Sequence, residues 1–401
     1  MLNAFWRVRS LVFITLSFFL LFSISATYAN TENESVNNSE PLTLDGEISL
    51  PPELWTHSDN ETAAEIGEQG EQGEQGEQGE QQEEAPSMAL APPPPLDPPP
   101  LKQLLLMLDW YVSPQHAALI VAKQRGLFAA QGLELELLTP ADPSIAIKLL
   151  TAGEVDLALT RQPLLHLHAH DGAAITRIGT LIETPLNAVI VAGDVPTNET
   201  TDQLAGLHYG FSTREGRDVL VDQLVPTSLR QIDDFNPPES VHFDAASALR
   251  EGRVNAIADG FYLTLPQQLA SEGIVTHTVR YHDIDVPRHD GLILLANSDT
   301  VTRRAATWSR VLIALEEASN WIIENPEAAW SLLISSHPVL DNAINEAAWD
   351  DLMRRIAISP AALDARRYAA FERYLQQSGI TETALPISRL AVNPHALIDI
   401  R

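Results

Sequence analysis

Apolar positions fall into regular periods only from about residue 101 onward. LLLML at 104–108 is an unbroken apolar run, as expected of a strand covered on both faces. HAALIVAKQRGLFAAQ at 116–131 has helical length, is apolar in its first half, and is interrupted by Gly126. LELELL at 133–138 alternates with the period of a strand, PSIAIKLLTAGE at 143–154 reads as a helix, and VDLALT at 155–160 as a further strand. Strands and helices alternating at this spacing predict a parallel α/β sheet. The polar, turn-rich VPTNETTDQ after Asp194 predicts a crossing to a second lobe near residue 193. LHYGFS at 207–212 then opens another strand–helix series, continued by VHF, VNAIADGFY and IVTHTVRYH. Beyond Asn297 the pattern is mostly helical, with Trp308, Trp321, Trp330 and Trp349 as expected core residues. The expectation is an α/β clamshell, with 101–193 plus 290–401 as lobe 1 and its C-terminal helices, 194–289 as lobe 2, and a return crossing at 287–291.

Composition changes the picture mainly for the first hundred residues. Arg7 and Arg9 precede the apolar run at 11–24, and Ala29 is a small residue suited to cleavage. That run is shorter than the ~18 residues of a membrane span, so residues 1–29 read as a secretory signal peptide. From 30 to 100 the chain is acidic, with the register GEQGEQGEQGEQGE and then APPPPLDPPP, and it has no lysine or arginine. Low hydrophobicity with charge of one sign predicts a disordered spacer, and the proline run a stiffer one. Seventeen acids lie there, more than half of the net charge of −29, so the acidity belongs to the spacer rather than the ligand. The chain has no cysteine, which suits an exported protein whose core is large enough to need no disulfides.

Ligands of open α/β sheets bind outside the carboxyl ends of the strands. LDWYVSPQHA at 108–117 lies at such an end: Asp109, Trp110 and Tyr111 follow the first strand, Ser113 is suited to cap a helix, Pro114 to open it, and His116 falls in its first turn. Stacking on Trp110 or Tyr111 and hydrogen bonding to Asp109 would suit a flat heteroaromatic ligand, although a plain buried aromatic edge fits the same residues. GFSTREG at 210–216 offers Ser212 and Glu215, whose spacing is that of a capping box, so that Glu215 either closes the box or faces the ligand. Arg161, Gln162, Thr184, Asn187, Phe261 and Tyr262 stand at the ends of later strands. The histidines of HLHAH at 166–170 alternate where a helix is expected. Only His166 and His170 would share a face, which favours a surface helix over a metal site.

The run from Leu108 to Pro163 resembles the thiamine-pyrimidine-precursor binding proteins, within the nitrate, sulfonate and taurine group of ABC-transporter solute-binding proteins. The D-W-x-x-x-P-x-H pattern carries the resemblance, which spans about 104–297 and weakens over the tail. It implies a type II periplasmic-binding-protein fold delivering a small ligand to an ABC permease of the inner membrane. By position, Asp109, Trp110 and His116 match its first-lobe motif and Gln162 the end of its third strand. Residues 212–216 match only loosely, because Thr213, Arg214 and Glu215 replace smaller residues, and that bears on the ligand's identity.

The expected function is a periplasmic, monomeric substrate-binding protein that closes over a pyrimidine precursor or a similar heteroaromatic, with no metal, no cofactor and no catalytic residue. The ligand set is Asp109, Trp110, Tyr111, His116, Gln162, Asn187, Ser212, Glu215 and Tyr262. Alternatives are a sulfonate-type oxyanion ligand held by Arg161 or Arg214, and a membrane-tethered sensor or scaffold of the same fold. Enzymes of the same family depend on a cysteine-rich motif, which a chain without cysteine lacks. Nucleic-acid binding is disfavoured by the acidity of the folded part.

Overall fold

The computed structural model describes residues 100–193, 204–231 and 235–398, all within one compact unit. The expected signal peptide, the spacer up to residue 99 and the polar stretch VPTNETTDQ after Asp194 lie outside the described residues.

Two five-stranded sheets organise the chain. The first contains β1 (Lys102–Met107), β2 (Leu133–Leu138), β3 (Leu157–Thr160), β4 (Ile175–Ile182) and β10 (Leu292–Asn297), in the order β2-β1-β3-β10-β4. The second contains β5 (Asn187–Ala192), β6 (Tyr209–Phe211), β7 (Glu239–Ser240), β8 (Ala256–Phe261) and β9 (Thr276–Val279), in the order β7-β6-β8-β5-β9. β1 pairs parallel with β2 and β3, and β6 parallel with β7 and β8. β10 and β5, the strands that arrive from the opposite lobe, run antiparallel to their neighbours. Both sheets are therefore mixed rather than purely parallel.

The apolar run of β1 is covered as its pattern predicts. Leu104, Leu106 and Leu108 are fully buried, each stabilising the fold by about 1.5–3 kcal/mol. In β2 the alternation of LELELL buries Leu133 and Leu135 and exposes Glu134 and Glu136. The helix expected at 116–131 forms as α1 (Ala117–Gln124) and α2 (Leu127–Ala130), because Gly126 takes the left-handed conformation at φ +71°. α1 packs against the long helix Ala305–Glu324, whose Trp308 is fully buried. α3 (Ile145–Ala152) and α4 (Gln162–His170) cover the first sheet.

One boundary moves. Asn187–Ala192 pairs with β8 and β9, so the chain changes sheets at 183–186 and not near residue 193. NAVIVA is apolar enough for either sheet, so its pattern alone does not assign it. The return runs between β9 and β10. There the Gly291 amide donates to the Ile182 carbonyl at 2.9 Å, and a Cβ on Gly291 would stand 2.2 Å from the Thr184 carbonyl oxygen. The two connections thus lie against each other, as in a hinge. The C-terminal helices brace it: Asp290 accepts from Thr180 Oγ1 at 2.9 Å and Tyr368 Oη at 3.0 Å, and pairs with Arg367.

Candidate functional site

β1 ends at Met107, and the next residues turn across the carboxyl edge of the first sheet. Pro114 opens the short 3-10 turn Pro114–His116, with Ser113 as its N-cap. The Ser113 hydroxyl takes no part in the cap, but its backbone N–H donates to His116 Nδ1 at 3.1 Å. Neutral His116 therefore carries its proton on Nε2, which donates to Asp109 Oδ1 at 3.0 Å. His116 is wholly buried while Asp109 keeps one edge open, so the histidine holds the carboxylate in a fixed orientation. Gln115 Nε2 approaches the same carboxylate at 3.4 Å. Trp110 and Tyr111 follow with ring centroids 5.6 Å apart, and Tyr111 is exposed.

The facing edge of the second lobe is built on Asp259, near the end of β8. Its carboxylate accepts the Ser212 and Thr213 amides at 2.8 and 2.9 Å and the Thr213 hydroxyl at 2.8 Å. Asn187 Nδ2 donates to the Asp259 carbonyl at 2.8 Å. Gly216 permits this approach, since a Cβ there would lie 2.8 Å from Asp259 Cγ. The following segment, Glu215–Val221, is a π-helix, and the capping box expected of Ser212 and Glu215 is not formed. Asp259 has taken the Ser212 amide that Glu215 would have accepted. Glu215 is turned instead toward the first lobe.

Arg161, immediately after β3, meets it there. Arg161 Nε stands 3.0 Å from Glu215 Oε2, and Nη2 donates to Thr213 Oγ1 at 2.9 Å and lies 3.6 Å from Asp259. Burial opposes the charge on Arg161, but Glu215 and Asp259 more than offset it, and its pKa rises. Glu215 is itself buried, and burial lifts its pKa to about 7 against the pull of Arg161, with a further push from Asp259. The carboxyl group lies beside Arg161 on one side and the Tyr281 hydroxyl on the other. The cluster holds one guanidinium amid Glu215, Asp259 and, at longer range, Asp109.

Other candidates lie elsewhere. Gln162 is fully buried, its Oε1 accepting the Asp290 amide at 2.8 Å and its Nε2 3.1 Å from His166 Nε2. Tyr262 packs at the hinge, its amide donating to Leu186 and its ring 3.2 Å beneath the Arg280 guanidinium. HLHAH does form a helix, but not a surface one. His166 is fully buried and bonds Glu372, which also takes His170 at 3.0 Å. Glu372 lies two hundred residues away, beyond the reach of local pattern. Among the described residues no group of His, Asp and Glu is placed to hold a metal ion.

Three participants escaped the sequence reading. Asp259 was signalled by an acid inside the apolar strand AIADGF. Tyr281, whose hydroxyl lies beside Glu215, had no such mark. Phe243 meets Trp110 edge to face from the other lobe, with centroids 4.4 Å apart.

The family model described as NMT1/THI5 like matches residues 113–329. A Haemophilus influenzae protein named "Putative thiamine biosynthesis protein" is 36% identical over 73% of this chain and 92% of its own length. The formylaminopyrimidine-binding protein of Halalkalibacterium halodurans is 27% identical over 60% of this chain and 72% of its own. At 22% identity, over 61% of this chain and 74% of theirs, similarity extends to 4-amino-5-hydroxymethyl-2-methylpyrimidine phosphate synthases of Saccharomyces cerevisiae. Among solved structures, the periplasmic aliphatic sulphonate binding protein of Escherichia coli superposes with a TM-score of 0.53 at 16% identity, over 72% of this chain and 91% of that one. The architecture is that of the periplasmic binding proteins.

Proposed function

Since the chain belongs to the NMT1/THI5-like family, we propose that it is a solute-binding protein whose two lobes close on an aminopyrimidine related to the thiamine precursors. The observation that carries this reading is the polarity of the cleft. Asp109, oriented by His116, offers an acceptor to ring and exocyclic N–H groups, Glu215 offers a carboxyl that can accept or, while protonated, donate, and Trp110 offers a flat apolar face. Asp109, Trp110, Tyr111 and His116 form the first-lobe wall, and Ser212, Glu215 and Asn187 the second. Gln162 and Tyr262 support that wall and the hinge without facing the ligand. A sulfonate is disfavoured, because the Arg161 charge is already met by Asp259, with Glu215 beside it, and that of Arg214 by Asp171 and Asp218. A binding role rather than synthesis of a pyrimidine phosphate is supported by the lack of any cysteine. Export to the periplasm and delivery to an ABC permease follow from the same reading.

Calorimetric titration with hydroxymethyl- and formylaminomethyl-aminopyrimidines tests it. Heat and a melting shift are expected; silence with both, against a response to alkanesulfonates, would reverse the assignment. Formation of a pyrimidine phosphate by the purified protein would overturn the non-enzymatic part.

A further inference from the structure

Residues 241–243 leave the carboxyl end of β7, on the edge of the second sheet that also carries Ser212 and Thr213. Two consecutive side chains of this loop land on the first lobe. His242 Nδ1 meets Asp142 Oδ2 at 2.7 Å, in the connection between β2 and α3. Phe243 meets Trp110 at 4.4 Å with an interplanar angle of 80°, and Tyr111 at 6.1 Å. To hold this pose His242 takes φ +48°, a conformation side chains other than glycine rarely adopt. Trp110 and Phe243 are half-buried and belong to neither hydrophobic core. Their contact spans the cleft without completing either lobe, so lobe packing does not account for it.

We propose that Phe243 is a ligand-contacting residue, the second-lobe face of an aromatic slot whose first-lobe face is Trp110. The slot takes a planar heteroaromatic ring. A ring about 3.5 Å thick, entering as the lobes part, stacks on the Trp110 face and meets the edge of Phe243, or its face once the Phe243 ring turns parallel to it. A tetrahedral sulfonate head has no face to offer. This assignment rests on the reading of Trp110 as a ligand wall and adds a partner that the linear sequence does not place near it.

The test measures binding of both aminopyrimidines, a pyridine, a thiazole and an alkanesulfonate to the wild-type chain, Phe243→Ala and Phe243→Tyr, with dissociation rates by stopped flow. Phe243→Ala is expected to weaken binding of the planar ligand about tenfold, chiefly through faster release, and Phe243→Tyr to stay within about twofold. Equal affinity of wild type and Phe243→Ala for a bound pyrimidine would overturn the slot and leave the proposed function standing. If the wild type binds another planar ring but no pyrimidine, the proposed function falls and the slot is judged on that ring by the same variants. Binding of only the sulfonate, or of nothing in the panel, overturns both. Melting curves of the variants establish that each is folded.

Discussion

Glu215→Gln should change how stability depends on pH, because the buried carboxyl holds its proton to about pH 7 in the folded chain and releases it near 4.5 when exposed. Between those values the folded state binds more protons than the unfolded one. The stabilisation from this group is complete below about 4.5 and is lost as pH rises through about 7. The loss proceeds at about 1.4 kcal/mol per pH unit, or about 2 kcal/mol between pH 5 and 6.5. Glutamine keeps the shape of the protonated acid and cannot ionise. The difference in unfolding free energy between variant and wild type should therefore move by that amount in the variant's favour as pH rises. Urea unfolding of both proteins at half-unit steps from pH 4.5 to 7.5 reads this directly, and comparison at each pH cancels groups the substitution leaves alone. Parallel stability curves over the whole window would refute the buried, proton-holding Glu215 on which the cleft electrostatics rest.

His289 acts in the opposite sense. Burial lowers its pKa from 6.5 to about 4, so its stabilisation is present above 6.5 and lost as pH falls through 4, and His289→Gln should flatten the acid limb in urea unfolding. Trp110→Ala should lose about tenfold or more in ligand affinity by calorimetry while its melting temperature falls only a few degrees, since Trp110 lies outside both cores. Asp290→Asn removes the charge that pairs with Arg367 and weakens a cluster with Thr180 and Tyr368, and should cost about 3 kcal/mol in urea unfolding. Gly291→Ala forces a methyl group against the Thr184 backbone and should destabilise by about 1–3 kcal/mol, with faster hydrogen exchange in both interlobe connections.

The two-lobe α/β plan and the first strands and helices, from β1 to β3, were legible in the sequence. These depend on periodicity over a few residues: LLLML for a covered strand, LELELL for a half-covered one, Ser-Pro for a helix start, Gly126 for the break. The Asp109–His116 pair could be anticipated as neighbours because only a short turn separates them. What tertiary structure alone decided were the meetings between distant segments. NAVIVA has the composition of either sheet, and only pairing with β8 and β9 assigns it to the second. Glu215 had a local partner in prospect, but Arg161 across the cleft offered its carboxylate a full opposite charge while Asp259 took the turn's amides. His166 looked exposed until Glu372 arrived from the C-terminal helices, and Phe243 had no recognisable partner until the lobes brought Trp110 against it. Local spacing sets which faces a segment presents. Which charges and rings those faces meet is fixed by chain closure over some fifty to two hundred residues, where no short-range pattern reaches.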